Sequence, residues 1–123
     1  MRDAHFPGRA PIEAYGNGGF RFAGMSHRGS ILILLNAIYA WPVSEPGQIG
    51  VEALSRAMAA DDRPELLLIG TGRQLVPAAP DLRDAVRDHG IRIETMDTGA
   101  AVRTYNVLLA EERSVGAALI AVD

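Results

Sequence analysis

Two apolar, β-type stretches of the chain each end in a Thr-Gly corner that a predicted helix follows. Residues 66–69 run into Gly70, Thr71 and Gly72, and residues 91–96 run into Asp97, Thr98 and Gly99. Strands that alternate with helices form parallel sheets, because each helix carries the chain back to the same end of the sheet. Ligands of such sheets bind outside the carboxyl ends of the strands, where backbone N–H groups point outward. The sequence therefore predicts an α/β fold with a binding rim at these two corners.

The other elements are predicted from hydrophobic periodicity. Residues 12–22 alternate apolar with polar or small side chains around a Gly-Asn-Gly-Gly turn, which predicts an exposed β-hairpin. Residues 31–35 are continuously apolar and predict a central strand, and residues 37–41 extend it or pair with it. One-sided apolar stripes at 51–58, 82–86 and 101–112 predict helices, and residues 115–122 predict a last strand. The order is ββββ-α-β-α-β-α-β, which predicts a mixed sheet with helices packed on it and an N-terminal β-hairpin.

Length and composition favour one globular domain. The chain has 123 residues, of which 48% are hydrophobic and 22% are charged. We expect a single domain over residues 1–123, with residues 1–10 as a flexible tail. The sequence contains no cysteine, which excludes disulfides, thiolate nucleophiles and Cys-based metal sites. The histidines have no second ligand at helical spacing, so we expect no metal site.

The charge pattern argues against several partners. All 12 basic residues are arginines, spread evenly along a chain of net charge −3, so we expect no nucleic-acid partner. The longest apolar stretch, residues 31–41, is interrupted by Asn36 and falls short of the roughly 20 residues that a membrane helix needs. Residues 1–10 lack the apolar region of a secretory signal. We therefore expect a protein that is not inserted into a membrane and lies in the cytoplasm.

The first corner consists of Gly70, Thr71 and Gly72, and Arg73 and Gln74 follow it. The glycines let the backbone approach an anion closely, and the Arg73 guanidinium can bind a carboxylate or phosphate with two hydrogen bonds. Glycine corners are common, however, and these glycines can instead serve only to turn the chain out of the strand. The turn is the favoured alternative, and ligand binding stays open beside it.

The second corner consists of Asp97, Thr98 and Gly99, and it starts a predicted helix that carries Arg103 and Asn106. Helical side chains lean toward the start of the helix, so Arg103 can reach back toward the exposed N–H groups of the corner. This combination predicts a site for an anion or a partner. In an equally weighted alternative, Thr98 only caps the helix and Arg103 pairs with Asp97 or another carboxylate.

Three segments, residues 38–43, 67–72 and 97–108, resemble a known family. They are similar to the domain of unknown function shared by the mitochondrial NADH dehydrogenase (complex I) assembly factor 3 and the adipogenesis-associated domain-containing protein, with small bacterial and archaeal members. The resemblance covers residues 12–122. It implies a three-layer α/β domain with a mixed central sheet and an additional β-hairpin layer. It supplies no catalytic residues, and it implies a role in respiratory-complex or membrane-protein assembly.

Together these observations predict a non-enzymatic binding or assembly module. Its two corners, with Arg73 and Arg103, would face a protein partner or a small anion. The alternative is an enzyme on, or a binder of, a small anionic metabolite at the same corners. A third hypothesis is a homodimer that buries the hairpin of residues 12–22, because its aromatic side chains leave an apolar strand pair near an edge. We assign no catalytic residue, no metal and no cofactor.

Overall fold

The computed structural model describes residues 4–123. Within this part of the chain the strands are β1 (Ala4–Pro7), β2 (Ile12–Gly16), β3 (Gly19–Phe22), β4 (Met25–Arg28), β5 (Ile31–Ile33), β6 (Ala37–Ala40), β7 (Leu66–Gly70), β8 (Arg92–Met96) and β9 (Val115–Leu119). The helices are α1 (Ser55–Ala59), α2 (Pro80–Arg87) and α3 (Thr98–Ala110). Short 3-10 turns lie at Pro46–Gln48 and Glu52–Leu54.

A six-stranded mixed sheet in the order β1-β6-β5-β9-β7-β8 forms the centre of the structure. Strand β7 pairs in parallel with both β8 and β9. Strand β5 pairs antiparallel with β9 and β6, so it joins the parallel half of the sheet to the antiparallel half. These pairings confirm the predicted mixed α/β architecture, the parallel crossovers and the interior position of the strand that begins at Ile31.

Both faces of the central sheet are covered, because successive residues of a strand point to opposite faces. On one face, Leu67 and Ile69 of β7 pack in a core cluster that also holds residues of α1 and α2. On the other face, Leu68 packs with Val102 of α3 and with Phe20 of β3. The two buried faces explain the continuous apolar sequence of β7, which sequence periodicity alone assigns to a covered strand.

The predicted hairpin is present, and it is part of a separate three-stranded sheet in the order β2-β3-β4. Asn17 and Gly18 have φ angles of 53° and 79°, the left-handed conformation that tight hairpin turns require. Phe20 and Phe22 of β3 are buried and hold this small sheet on the core. The expectation that they remain exposed for a homodimer contact is therefore wrong for these two side chains. No strand is predicted from the sequence at residues 26–28, yet β4 pairs with β3 there although its polar sequence carries no strand pattern.

Three other boundaries differ from the sequence prediction. Residues 4–7, expected in a flexible tail, form β1 and pair with β6, while residues 1–3 lie outside the described part. The predicted helix at 51–58 is a 3-10 turn followed by the short helix α1, because Leu54, the last residue of that turn, leaves the helical conformation at φ −107° and ψ 11°. The last strand ends at Leu119 rather than at Val122.

Candidate functional site

The two predicted corners lie side by side at the carboxyl ends of β7 and β8. The Thr71 N–H donates to the Met96 carbonyl at 2.8 Å, and the Thr98 N–H donates to the Gly72 carbonyl at 2.8 Å. The Gly72 N–H donates to the Thr98 hydroxyl at 3.0 Å. The structure therefore brings both corners to one rim, as parallel neighbouring strands require, and it joins them directly to each other.

Thr98 is the centre of this junction. Its side chain has 0% exposure, and its hydroxyl donates to the Ile120 carbonyl at 2.8 Å while it accepts the Gly72 N–H. One hydroxyl thus connects the ends of β7 and β9 with the start of α3. We call Thr71, Gly72, Thr98 and Ile120 the corner latch.

Thr71 shapes the loop that leaves the corner latch. Its hydroxyl lies 2.6 Å from the Gln74 carbonyl and 3.1 Å from the Met96 carbonyl, and it accepts the Val76 N–H at 3.0 Å. The side chain is only 3% exposed. Its polar contacts are made inside the protein, so Thr71 fixes the path of residues 71–76.

The glycines of the first corner have a steric reason. A Cβ atom on Gly70 would lie 3.0 Å from both Cα and Oγ1 of Thr98, so glycine lets the two corners approach each other. Gly72 has a φ angle of +102°, which side chains rarely tolerate. Both observations agree with the alternative in which these glycines build the turn.

The second corner is capped and covered. The Asp97 carboxylate accepts the Ala100 N–H at 2.9 Å, so the N-cap of α3 is Asp97 rather than Thr98. A Cβ atom on Gly99 would lie 2.5 Å from the Tyr15 hydroxyl and 3.4 Å from Nη1 of Arg103. Tyr15 of β2 therefore rests against the first turn of α3, where the sequence predicts open N–H groups.

The two predicted arginines have different surroundings. Arg73 is exposed, and its guanidinium lies 3.6 Å from the Asp123 carboxylate. Arg103 is exposed and forms no ion pair with any residue that the structure describes, so the predicted pairing with Asp97 is absent there. The cationic group of the first corner thus faces a carboxylate, and that of the second corner faces solvent.

Asn106 binds the polypeptide backbone. Its side-chain carbonyl accepts the Ile12 N–H at 2.8 Å, and its amide donates to the Ile12 carbonyl at 2.9 Å. The neighbouring Tyr105 is fully buried, and its hydroxyl donates to the Ala10 carbonyl at 2.9 Å. Burial raises the pKa of Tyr105 far above its ordinary value, against smaller lowering effects of the Arg9 charge and of this hydrogen bond.

Sequence reasoning missed this pair of contacts because the partners lie more than 90 residues apart in the chain. One feature of the sequence could have indicated the Tyr105 contact. Tyr105 is a polar-tipped side chain on the apolar stripe of α3, and buried hydroxyls of this kind need a hydrogen-bond partner. Tyr105 and Asn106 together hold the entry of β2 against α3.

A shallow groove of about 400 Å³ opens beside the corner latch, and we call it the rim groove. Its charged side chains have both signs, with Arg73 against Glu45 and Asp123. Val76 lines it with 39% exposure, and the adjacent Leu75 is 57% exposed. The complete lining is Ser44, Glu45, Pro46, Thr71, Gly72, Arg73, Gln74, Val76, Ile120, Ala121, Val122 and Asp123.

The polar chemistry of the described residues is satisfied internally. No side-chain N or O atom that is buried within residues 6–123 lacks a hydrogen-bond partner. In the same part of the chain, no three His, Asp or Glu side chains converge as metal ligands. Across residues 4–123, no helix is both long and apolar enough to cross a bilayer.

The latched mixed sheet with its attached three-stranded sheet defines a class of α/β domain that occurs in solved structures. A crystal structure described as an outer membrane protein from Bartonella henselae has this fold at a TM-score of 0.91. The two sequences are 54% identical, and the match covers 97% of this chain and 100% of that chain.

The chain belongs to the family described as a protein of unknown function (DUF498/DUF598), which matches residues 12–120. An uncharacterised protein of Rhodobacter capsulatus is 39% identical over 97% of this chain and 90% of its own length. The mouse NADH dehydrogenase [ubiquinone] 1 alpha subcomplex assembly factor 3 is 32% identical over 98% of this chain. The chain spans 65% of the length of the mouse protein. These matches confirm the resemblance to the complex I assembly factor family.

Proposed function

We propose that the chain is a non-enzymatic protein-binding module that assists the assembly of a respiratory or other membrane-protein complex. The observation that carries the proposal is the likeness to the mouse assembly factor, which extends over 98% of this chain at 32% identity. The likeness therefore includes both corners, both core clusters and the small sheet. Because nearly the whole of this chain matches the assembly factor, we infer that both proteins act by binding another protein through the surface of this domain.

The rim groove is the surface that we propose for this contact. Exposed apolar side chains beside charged groups are typical of protein interfaces, in which an apolar centre is bordered by a polar rim. Leu75 and Val76 supply the apolar centre, and Arg73 supplies a charged border. Gly70, Thr71 and Thr98 act indirectly, because they hold the loop that presents these side chains. Asp97 acts indirectly as well, because it caps the helix that begins at Thr98.

A small anion is not the occupant that we propose for the rim. The N–H groups of Gly72 and Thr98 already donate within the corner latch. The Asp123 carboxylate, 3.6 Å from Arg73, adds repulsion to any anion placed there. An interface of side chains uses the same surface without breaking these bonds.

The expected cytoplasmic location is part of the proposal. It is tested by fractionating cells that carry an epitope-tagged chain, with separation of cytoplasm, inner membrane and outer membrane. Recovery of the chain in the outer-membrane fraction would contradict a cytoplasmic location. The outer membrane is included in the fractionation because the similar Bartonella henselae protein is described as an outer membrane protein.

The assembly role is tested by deleting the gene in its own organism and measuring the amount of assembled NADH dehydrogenase in isolated membranes. We expect a severalfold loss that the wild-type gene restores. A Leu75→Asp, Val76→Asp double variant should fail to restore it, because the substitutions place charge in the apolar centre of the interface. An unchanged amount of complex after the deletion would contradict the role.

Val107→Asp is the matched control. Val107 is 56% exposed on α3 and is not among the residues that line the rim groove, so its substitution introduces one exposed Asp, half the charge of the double variant, on another surface. We expect this variant to restore assembly fully. If the control and the double variant fail to the same extent, the rim groove is not the contact surface.

A further inference from the structure

Side chains cap two of the strand edges that the structure describes. On β2, the Asn106 amide pairs with both the N–H and the carbonyl of Ile12, as a neighbouring strand would. On β8, the Arg83 guanidinium donates to the Ile93 carbonyl at 3.1 Å. Unpaired strand edges readily bind further strands, and caps of this kind block that pairing.

Among the residues that the structure describes, none caps the outer edge of β4 in this way. Ala23 and Gly24 form a two-residue turn with φ angles of 51° and 73°, which makes Phe22 and Met25 a hydrogen-bonded pair. Hydrogen bonding then recurs at every second pair, and the bond from Gly29 N–H to the Gly18 carbonyl at 2.7 Å continues this alternation.

The backbone N–H and carbonyl groups of Ser26 and Arg28 therefore point away from β3. No residue that the structure describes bonds to them. Both residues are exposed. This edge offers four backbone groups in the spacing that an added antiparallel strand needs.

The side chains of β4 and its neighbours are charged on one face. Arg21, Ser26 and Arg28 share the outer face of the small sheet, and Arg21 and Arg28 border a groove of about 460 Å³. Arg21 is already 3.4 Å from the Glu13 carboxylate and donates to the Ser26 hydroxyl. Arg28 forms no ion pair with a described residue, so its charge is the one available to a partner.

The opposite face of β4 carries Met25 and the half-buried His27. Met25 lies on this face and is 36% exposed, which leaves an apolar side chain in reach of an added strand. Successive residues of a strand point to opposite faces, so a strand beside β4 would place every second side chain near Arg28 and the others near Met25. The complementary sequence alternates acidic and apolar residues.

We propose that the outer edge of β4 binds an extended segment of a partner protein, in which acidic and apolar residues alternate. The segment adds a fourth strand to the small sheet, with a carboxylate beside Arg28 and an apolar side chain beside Met25. A second copy of this chain fits less well, because β4 contains no acidic residue to place beside Arg28. This edge is distinct from the rim groove, and the inference does not depend on the assembly role.

The test uses the full chain labelled with ¹⁵N and a synthetic peptide in which Glu and Val alternate. We expect the amide resonances of Ser26 and Arg28 to shift on titration and their hydrogen exchange to slow. A peptide in which Lys and Val alternate is the matched control and should bind more weakly. Arg28→Glu should lower the affinity of the chain for the Glu-Val peptide by about tenfold and raise its affinity for the Lys-Val peptide.

Backbone pairing is tested separately with Ser26→Pro, which removes one edge N–H, against Ser26→Ala, which keeps it. Only the proline variant should lose peptide binding. If it fails to fold, as its spectrum would show, the charge reversal at Arg28 still decides the matter. Equal binding of the two peptides, or shifts confined to β8 or the rim groove, would overturn the inference. Dimerisation through β4 without peptide would overturn it as well.

Discussion

The rim of the parallel strands and the small three-stranded sheet differ in how they use polar groups. At the rim, the Thr98 hydroxyl and the amides of Gly72 and Thr98 are all engaged within the corner latch. On the small sheet, the backbone groups of Ser26 and Arg28 remain unpaired among the described residues. The residue types that suggest a ligand site, Gly, Thr and Asp, here join elements of the fold. The backbone groups that no described residue engages lie instead on the polar strand β4, at Ser26 and Arg28.

Glycine shows the same difference in another form. A Cβ atom on Gly70 would press on Thr98, so glycine at the rim allows two loops to come together. A Cβ atom on Gly19 would overlap the His27 carbonyl oxygen, so glycine in the small sheet allows two strands to pair. The contact at Gly70 includes the Thr98 side chain, which can move to another rotamer. The contact at Gly19 is with the His27 backbone, which cannot move in this way.

The largest effect is expected for Gly19→Ala, which breaks the small sheet. The added methyl group meets the His27 backbone, so β3 and β4 must separate, and we expect a loss of about 3 kcal/mol in the free energy of unfolding. Urea denaturation measures the loss. Gly47→Ala is the control, because a Cβ atom there meets nothing within 4 Å and its effect should be small. Equal stability of the two variants would contradict the close strand contact.

A smaller effect is expected for Thr98→Val, which breaks the corner latch. Valine preserves the shape of the side chain but leaves the Gly72 N–H without its acceptor, and we expect a loss of about 2 kcal/mol. Thr98→Ser keeps the hydroxyl and should cost clearly less. Thermal and urea unfolding of the three proteins measure the difference. If valine and serine are equivalent, the hydroxyl does not hold the corners together.

Features that depend on residues close together in the sequence could be predicted, and those that depend on contacts between distant residues could not. Strand β7 and helix α2 are marked by local signals, an apolar run and a helix-starting proline at position 80, and both were predictable. The shared rim position of Thr71 and Thr98 was also predictable from the parallel order of the strands. The partner of the Thr98 hydroxyl was not, because Ile120 lies 22 residues from Thr98 and only the folded sheet brings them together.

The missed strands β1 and β4 lack a local sequence signal. Strand β4 reads Met-Ser-His-Arg, which has no apolar alternation, and it exists because a tight turn folds it onto β3. Strand β1 lies in a charged segment with a proline, and its pairing with β6 spans about 30 residues of sequence. Local pattern thus identifies elements with a buried face. It does not identify elements such as β1 and β4, which hydrogen bonding to another strand defines.

The smallest effect concerns the link between the two regions, at Tyr105. Its hydroxyl holds Ala10, next to the start of β2, and Tyr105→Phe should cost about 1 kcal/mol at neutral pH, since one buried carbonyl loses its donor. The phenol has a raised pKa in the folded state, so above the ordinary tyrosine pKa of about 10 the unfolded chain releases a proton that the folded protein retains. Stability should therefore fall as pH rises above that value.

Urea unfolding of the wild type and of Tyr105→Phe at pH 8 and at pH 10.5 measures this dependence. All other titrating groups are common to both proteins, so the difference between the two slopes isolates Tyr105. We expect the wild type to lose more stability than the variant across this interval, which narrows the gap between them at high pH. Equal losses of unfolding free energy in the two proteins would mean that the Tyr105 phenol titrates normally in the folded protein. The small sheet would then be held on α3 by Asn106 and apolar packing, without a buried Tyr105 hydroxyl.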